Sequence, residues 1–184
     1  MKKQRLSQYD ASPHKVGANK LKYLLWIICN AIFLKNPLNT SVALKRFLLK
    51  VFGAKIGKGV VLKPSINVKY PWKLSIGDHC WIGEHVWLDN VEPIHIADNV
   101  CISQGALLLT GSHDHKSESF DYSCGEIIVE EGVWIGAKAI VAKGVTCKSH
   151  SILSINSVAE RDLDAFTIYK GNPAIPMVKR KILK

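Results

Sequence analysis

Two imidazoles and a carboxylate stand side by side at His113-Asp114-His115, inside the stretch "LLLTGSHDHKSESFDYSCGE" that spans residues 107–126. An imidazole titrates near neutral pH, so it can take a proton from a hydroxyl and return it to a leaving group within one reaction. A carboxylate should fix the tautomer of His113, and Asp114, Glu118, Asp121 and Glu126 are all eligible. The chain also holds His79, His85 and His95. A zinc site, however, needs ligands that converge to about 2 Å from the metal. His79 and His85 are six residues apart, and His113 and His115 lack a third ligand at a workable spacing, so no metal is expected.

The sequence around this stretch is regular. Apolar residues recur every six positions, at 56, 62 and 68, at 76, 82 and 88, at 96, 102 and 108, and at 129, 135, 141, 147 and 153. The position after them is often small (Gly57, Gly77, Gly83, Ala97, Gly136, Ala142), and the fourth is small or branched in most units (Val60, Ile66, Val86, Val100, Ala106, Val133, Ala139, Val145). A period of six fits neither an α-helix nor simple strand alternation. It predicts a parallel β-helix with three short strands per coil, whose inward side chains stack in columns. Coils then start at 56, 76, 96, 129 and 147, and the surplus before 129 is extruded as a loop over about 111–126.

Upstream of the repeat, residues 1–17 read as a flexible basic lead. "NKLKYLLWIICNAIFL", residues 19–34, predicts an apolar helix ended by Asn36-Pro37. A second helix, "SVALKRFLLKVFG", is expected after a Thr40 or Ser41 cap with Gly53 as its stop. Its Val42, Leu44, Phe47, Leu48, Val51 and Phe52 can share a face, with Lys45, Arg46 and Lys50 elsewhere. The apolar part of the first helix, about 14 residues, is below the roughly 20 that cross a bilayer. Residues 19–52 therefore either pack on the body or a neighbouring subunit, or lie on an anionic membrane surface.

Charge supports that division. Residues 1–50 hold ten Lys or Arg against one acid, Asp10, while the remaining 134 residues hold 15 basic and 14 acidic side chains. No groove-reading or aromatic-basic motif accompanies the basic arm, so a nucleic-acid partner is not expected. Five scattered cysteines without a C-x-x-C pair predict reduced thiols in a cytosolic protein, and no signal peptide is expected.

With "FGAKIGKGVVLKPS", "YPWKLSIGDHCWIGEHV", "ISQGALLLTGSHDH", "VWIGAKAIVAKGVT" and a closing "GNPA" at 171–174, the chain resembles the hexapeptide-repeat acyltransferases over roughly residues 41–181. It looks most like the branch that O-acetylates colanic acid and other exopolysaccharides. The resemblance implies a left-handed parallel β-helix acting as a homotrimer, with acetyl-CoA as co-substrate and a carbohydrate acceptor. It implies direct transfer with His113 as general base; the adjoining Asp114 and His115 either hydrogen-bond His113 or the substrate, or are solvated loop. Coenzyme A would lie between neighbouring prisms, with Trp134 beside the acetyl end and Ala137 and Ile155 along the pantetheine arm. Arg161 would lie near the phosphates, Gly171, Asn172, Pro173 and Ala174 would close over the nucleotide, and Lys179, Arg180 and Lys181 could add charge. The family's acceptor-binding Asn or Asp is matched here by Gly83, which leaves Glu84, His85, Asp89 and Asn90 as nearby candidates.

The expected organisation is a helical arm over 1–53, the β-helix over 54–165, and a closing turn with a short helix over 166–184. The expected place is the cytoplasm, or the inner face of the membrane. An acetyltransferase of antibiotics, free sugars or nucleotide sugars is the alternative within the family, and a non-catalytic β-helix interaction module is the alternative outside it.

Overall fold

The hexads fold into short strands, three to a coil. The computed structural model describes residues 3–10 and 15–183; of the expected basic lead, residues 1–2 and 11–14 lie outside the described residues. The first coil is β1 (Lys55–Ile56), β2 (Val61–Leu62) and β3 (Asn67–Val68), and the second is β4 (Leu74–Ile76), β5 (Trp81–Ile82) and β6 (Trp87–Asp89). The third is β7 (Ile94–Ile96), β8 (Cys101–Ile102) and β9 (Leu107–Leu109). After it the chain leaves the stack as the hairpin β10 (Gly111–His113) and β11 (Tyr122–Cys124). Two more coils follow, β12 (Ile127–Val129), β13 (Trp134–Ile135) and β14 (Ile140–Val141), then β15 (Thr146–Cys147), β16 (Ile152–Leu153) and β17 (Val158–Ala159). The chain closes with β18 (Thr167–Gly171) and β19 (Ala174–Lys179).

Three sheets result, ordered β1-β4-β7-β12-β15, β2-β5-β8-β13-β16-β18-β19 and β3-β6-β9-β14-β17, and together they form a left-handed parallel β-helix. Ile56 pairs with Ile76, Ile76 with Ile96, Ile96 with Val129 and Val129 with Cys147, so the coil starts form one column in register. The extruded hairpin leaves that column intact. The inward residues of every hexad are buried, from Ile56 through Leu108 to Leu153. Each aliphatic removed from water contributes about 1.5–3 kcal/mol, which is why the period alone dictates the stack.

The corners explain the small residues and several histidines. Between the first and second sheets, Gly59, His79, Asn99, Gly132, His150 and Phe166 all have positive φ, and between the second and third so do Ser65, His85, Gly105, Lys138 and Asn156. His79 and His85 are thus corner residues in the left-handed region. Among the described residues no three His, Cys, Asp or Glu side chains are grouped to hold a metal ion.

The arm is α1 (Lys20–Cys29), prolonged by a π-helical turn over Asn30–Leu34, and α2 (Val42–Val51). Asn19 caps the first helix by accepting from the Lys22 amide, and Ser41 caps the second by accepting from that of Leu44. An open coil ends in carbonyls that have no next strand. The arm supplies donors to all three sides: Lys45 Nζ to Leu62 O at 2.9 Å, Trp26 Nε1 to Val68 O at 3.0 Å, and Arg46 Nη2 to Gly57 O at 3.4 Å.

This corrects the expected face of α2. Lys45 and Leu49 are the side chains it buries, while Leu44, Phe47 and Val51 point outward. The unmet carbonyls of the first coil, rather than the apolar count, choose the docking face. Burial lowers the pKa of Lys45, and the nearby Lys63 charge adds to this.

At the other end, the expected C-terminal helix is a strand. β19 runs antiparallel to β18, which itself pairs with β16 on the second sheet. The turn after Gly171 folds the chain back, Pro176 and the branched Ile175 and Val178 disfavour a helix, and the last parallel edge needs a partner.

Candidate active site

His113 ends β10, and the hairpin around it is fixed at its base. The amide and hydroxyl of Thr110 both donate to the Asp89 carbonyl of the coil below, at 3.2 and 3.0 Å, and the Gly125 amide donates to Thr110 O at 3.0 Å. A Cβ on Gly111 would lie 2.6 Å from Val91 Cγ2, so a glycine is required for this close approach. Beyond His113, the Asp121 carboxylate accepts from the Ser117 and Ser119 hydroxyls at 2.6 and 2.7 Å, which pulls its pKa below the ordinary value. Asp114 accepts from the Lys116 amide at 2.8 Å.

The His113 ring is set by this fold. Its Nδ1 lies 2.8 Å from the Phe120 carbonyl. A carbonyl oxygen only accepts, so Nδ1 donates, and in the neutral form of the ring the lone pair lies on Nε2. Phe120 stacks on the ring with centroids 4.3 Å apart, while Tyr122 and Tyr9 present edges at 4.8 and 5.4 Å. The carboxylate expected to fix the tautomer is therefore replaced by a backbone carbonyl. Asp114, Asp121, Glu118 and Glu126 have other contacts: Glu118 pairs with Arg5 at 3.5 Å and Glu126 with His95 at 3.7 Å. His115 is exposed and lines a shallow surface pocket with Lys3, Gln4, Lys116, Ser117 and Glu118.

A groove of about 480 Å³ lies on the second sheet and its corner toward the third. It gathers three positions singled out above, Trp134, Ala137 and Ile155, with Ser103, Gln104, Ile152, Ser154 and Ile168. The indole N–H of Trp134 donates to Ser103 Oγ at 2.9 Å, which holds the ring against the wall. Gly171–Ala174 continue this corner one coil further, since Ile168 and Tyr169 pair with Ile152 and Leu153, and the Gly171 amide donates to Ser157 Oγ at 2.9 Å.

Other candidates are scattered. Arg161 is exposed after β17, at the corner between the third and first sheets. Arg180 donates from Nη1 to Gly132 O at 2.8 Å and to His150 O at 3.1 Å, on yet another corner, where it clamps successive turns. Of the acceptor candidates, Glu84 is exposed beside Lys63, Trp81, Gly83 and Gln104, and His85 is the next corner residue. Asp89 pairs with Lys69 at 2.9 Å one coil below the hairpin. Asn90 is fully buried, its amide bonded to both the N–H and the C=O of Tyr70 at 2.9 and 2.6 Å. It completes the coil and has no surface to offer an acceptor.

Sequence reasoning missed Tyr9, Phe120 and Tyr122. Two of them carried a signal, because a hairpin that opens at His113 brings the aromatics of "SFDYS" back to it. Tyr9 carried none: it reaches His113 because the Arg5 amide donates to Glu118 O at 2.8 Å, a contact more than a hundred residues apart in sequence.

No protein-family model matches the chain. It is 38% identical to the Escherichia coli (strain K12) protein named "Putative colanic acid biosynthesis acetyltransferase WcaF", over 96% of this chain and 97% of that one. Its structure superposes on a hexapeptide-repeat-containing acetyltransferase of Vibrio cholerae with a TM-score of 0.78 and 25% identity, covering 90% and 96% of the two chains. The complex of that Vibrio protein with acetyl coenzyme A matches with a TM-score of 0.73 and 25% identity, over 79% of this chain and 81% of that chain.

Proposed function

The chain belongs to the hexapeptide-repeat acetyltransferases, and from that premise we propose that it acetylates a sugar hydroxyl of an exopolysaccharide or of its lipid-linked precursor, with His113 as the general base. Acetyl-CoA is the co-substrate. The carbohydrate acceptor is supported by the likeness to a colanic acid biosynthesis protein.

The observation that carries the base assignment is the Nδ1 contact with the Phe120 carbonyl. It leaves Nε2 free to take the proton as the acceptor oxygen attacks the thioester carbonyl. When the carbon–sulfur bond breaks, Nε2 returns that proton to the departing thiolate. No acyl-enzyme is required, because both substrates can be held together and proximity supplies much of the rate. The apolar groove with Trp134, Ala137 and Ile155 suits a pantetheine arm, and the turn at 171–174 extends the same line toward the nucleotide end.

His113 leaves the prism at the corner between the third and first sheets, and the groove follows the corner between the second and third. One chain thus offers the base and the groove at different corners. A homotrimer, in which the hairpin of one subunit faces the groove of the next, unites them. We place the protein in the cytoplasm, where its five free cysteines would stay reduced.

The test is transfer from radiolabelled acetyl-CoA to lipid-linked glycans of the host, native against His113→Ala. The expected loss is about 100-fold or more, with fold and acetyl-CoA binding retained. Full activity in the variant rejects the assignment.

A further inference from the structure

The N-terminal helices expose apolar surface for which the fold itself has no use. Leu21, Leu24, Leu25, Ile28 and Ile32 follow the three- and four-residue spacing of a single helical stripe through α1 and its π-helical turn. They are 66%, 54%, 50%, 47% and 52% exposed, whereas Trp26 on the other side is 1% exposed. Trp26, Cys29, Asn30 and Leu34 are the buried side chains of this segment, and they leave the stripe pointing away from the prism. Phe47 and Val51, one turn apart on α2, add two more outward apolar side chains. Among the described residues, no helix is long and apolar enough to cross a membrane.

Charge identifies the occupant. Between Asp10 and Asp78 the sequence contains no Asp or Glu, and it contains twelve Lys or Arg. Lys20 at the start of α1, Lys35 after its π-helical turn and Lys50 in the last turn of α2 are exposed. We infer that this end of the molecule rests on an anionic lipid bilayer, with the aliphatic stripe at the acyl boundary and the lysines among the headgroups. A two-fold contact with a second copy fits less well, since it would oppose identical lysines with no carboxylate on the helices to offset them, and the proposed three-fold contact uses the hairpin and a groove none of whose lining residues lies on the helices.

The inference deepens the proposed function by naming the surface that presents the acceptor, and for that acceptor it rests on the acetyl-transfer reading. The helices cap the first coil, and the His113 hairpin leaves after the third. Two strand spacings put the base about 10 Å along the prism axis from the capped coil. A sugar linked to a lipid of the same bilayer is thereby brought to the base by diffusion in two dimensions.

The experiment is sedimentation of the full chain with vesicles of phosphatidylcholine alone, and with vesicles of equal parts phosphatidylethanolamine and phosphatidylglycerol. The native protein is compared with the triple variant Leu24→Ser, Leu25→Ser, Ile28→Ser, whose fold is followed by acetyl-CoA binding and whose mass is followed by light scattering. Native protein should sediment with the anionic vesicles at least about tenfold more than with phosphatidylcholine, less so at high salt, and the variant should lose about tenfold at unchanged mass. Native protein that stays in solution with anionic vesicles overturns the inference. So does a variant that sediments like native, and one whose mass falls while its sedimentation is unchanged assigns the stripe to a contact between copies. Sedimentation needs no turnover, so an inactive His113→Ala protein that still binds vesicles separates this inference from the catalytic one.

Discussion

The groove on the second sheet and the hairpin that bears His113 come from neighbouring stretches of one chain, yet they are held by different means. Trp134 and Ile152 on the groove wall are strand residues, locked to the coils above and below by the parallel ladder and backed by the buried Ile135 and Leu153. Among the described residues His113 pairs only with β11, and one carbonyl and three aromatic rings orient it. Rigid repetition suits the long, unvarying arm of the donor proposed for the groove. A separately built loop suits the acceptor side, because it can change without unstacking the prism.

Substitutions should separate the two. Leu108→Ala, in the core beneath the hairpin's departure point, should cost about 2–5 kcal/mol of stability, measured by denaturant unfolding. A smaller loss would mean that the coils relax around the cavity and that wall and loop are less distinct than drawn here. On the proposed donor reading, Trp134→Ala should raise KM for acetyl-CoA about tenfold and lower kcat a few-fold, because the indole would lie beside the acetyl end. An unchanged KM would remove Trp134 from the donor site. Phe120→Ala keeps the carbonyl that orients His113 but removes the stacked ring. It should lower kcat a few-fold and cost less than about 1 kcal/mol of stability, since the hairpin lies outside the core. A loss of stability equal to that of Leu108→Ala would erase the contrast.

Much of this architecture was legible because a six-residue period is a local property. One inward side chain per hexad requires a bend at each corner, so Ile56, Ile76, Ile96, Val129 and Cys147 could be read as the first positions of coils before any pairing was known. The place of the extruded loop followed from the same count. That Trp134, Ala137 and Ile155 belong together was legible only through a resemblance, since they look like ordinary outward positions of the repeat until the coils bring them into one groove.

What the sequence determined by itself is the stack: its period, its register and the point where His113 departs, all set by which side chains must leave water. The tertiary structure alone decided how the ends and the loop are completed. Lys45 is buried because Leu62 O needs a donor, β19 is a strand because β18 needs an edge partner, and His113 is oriented by Phe120 O rather than by a carboxylate. Each of those choices satisfies a backbone group far along the chain or across a turn, and such unmet groups exist only once the coils have formed.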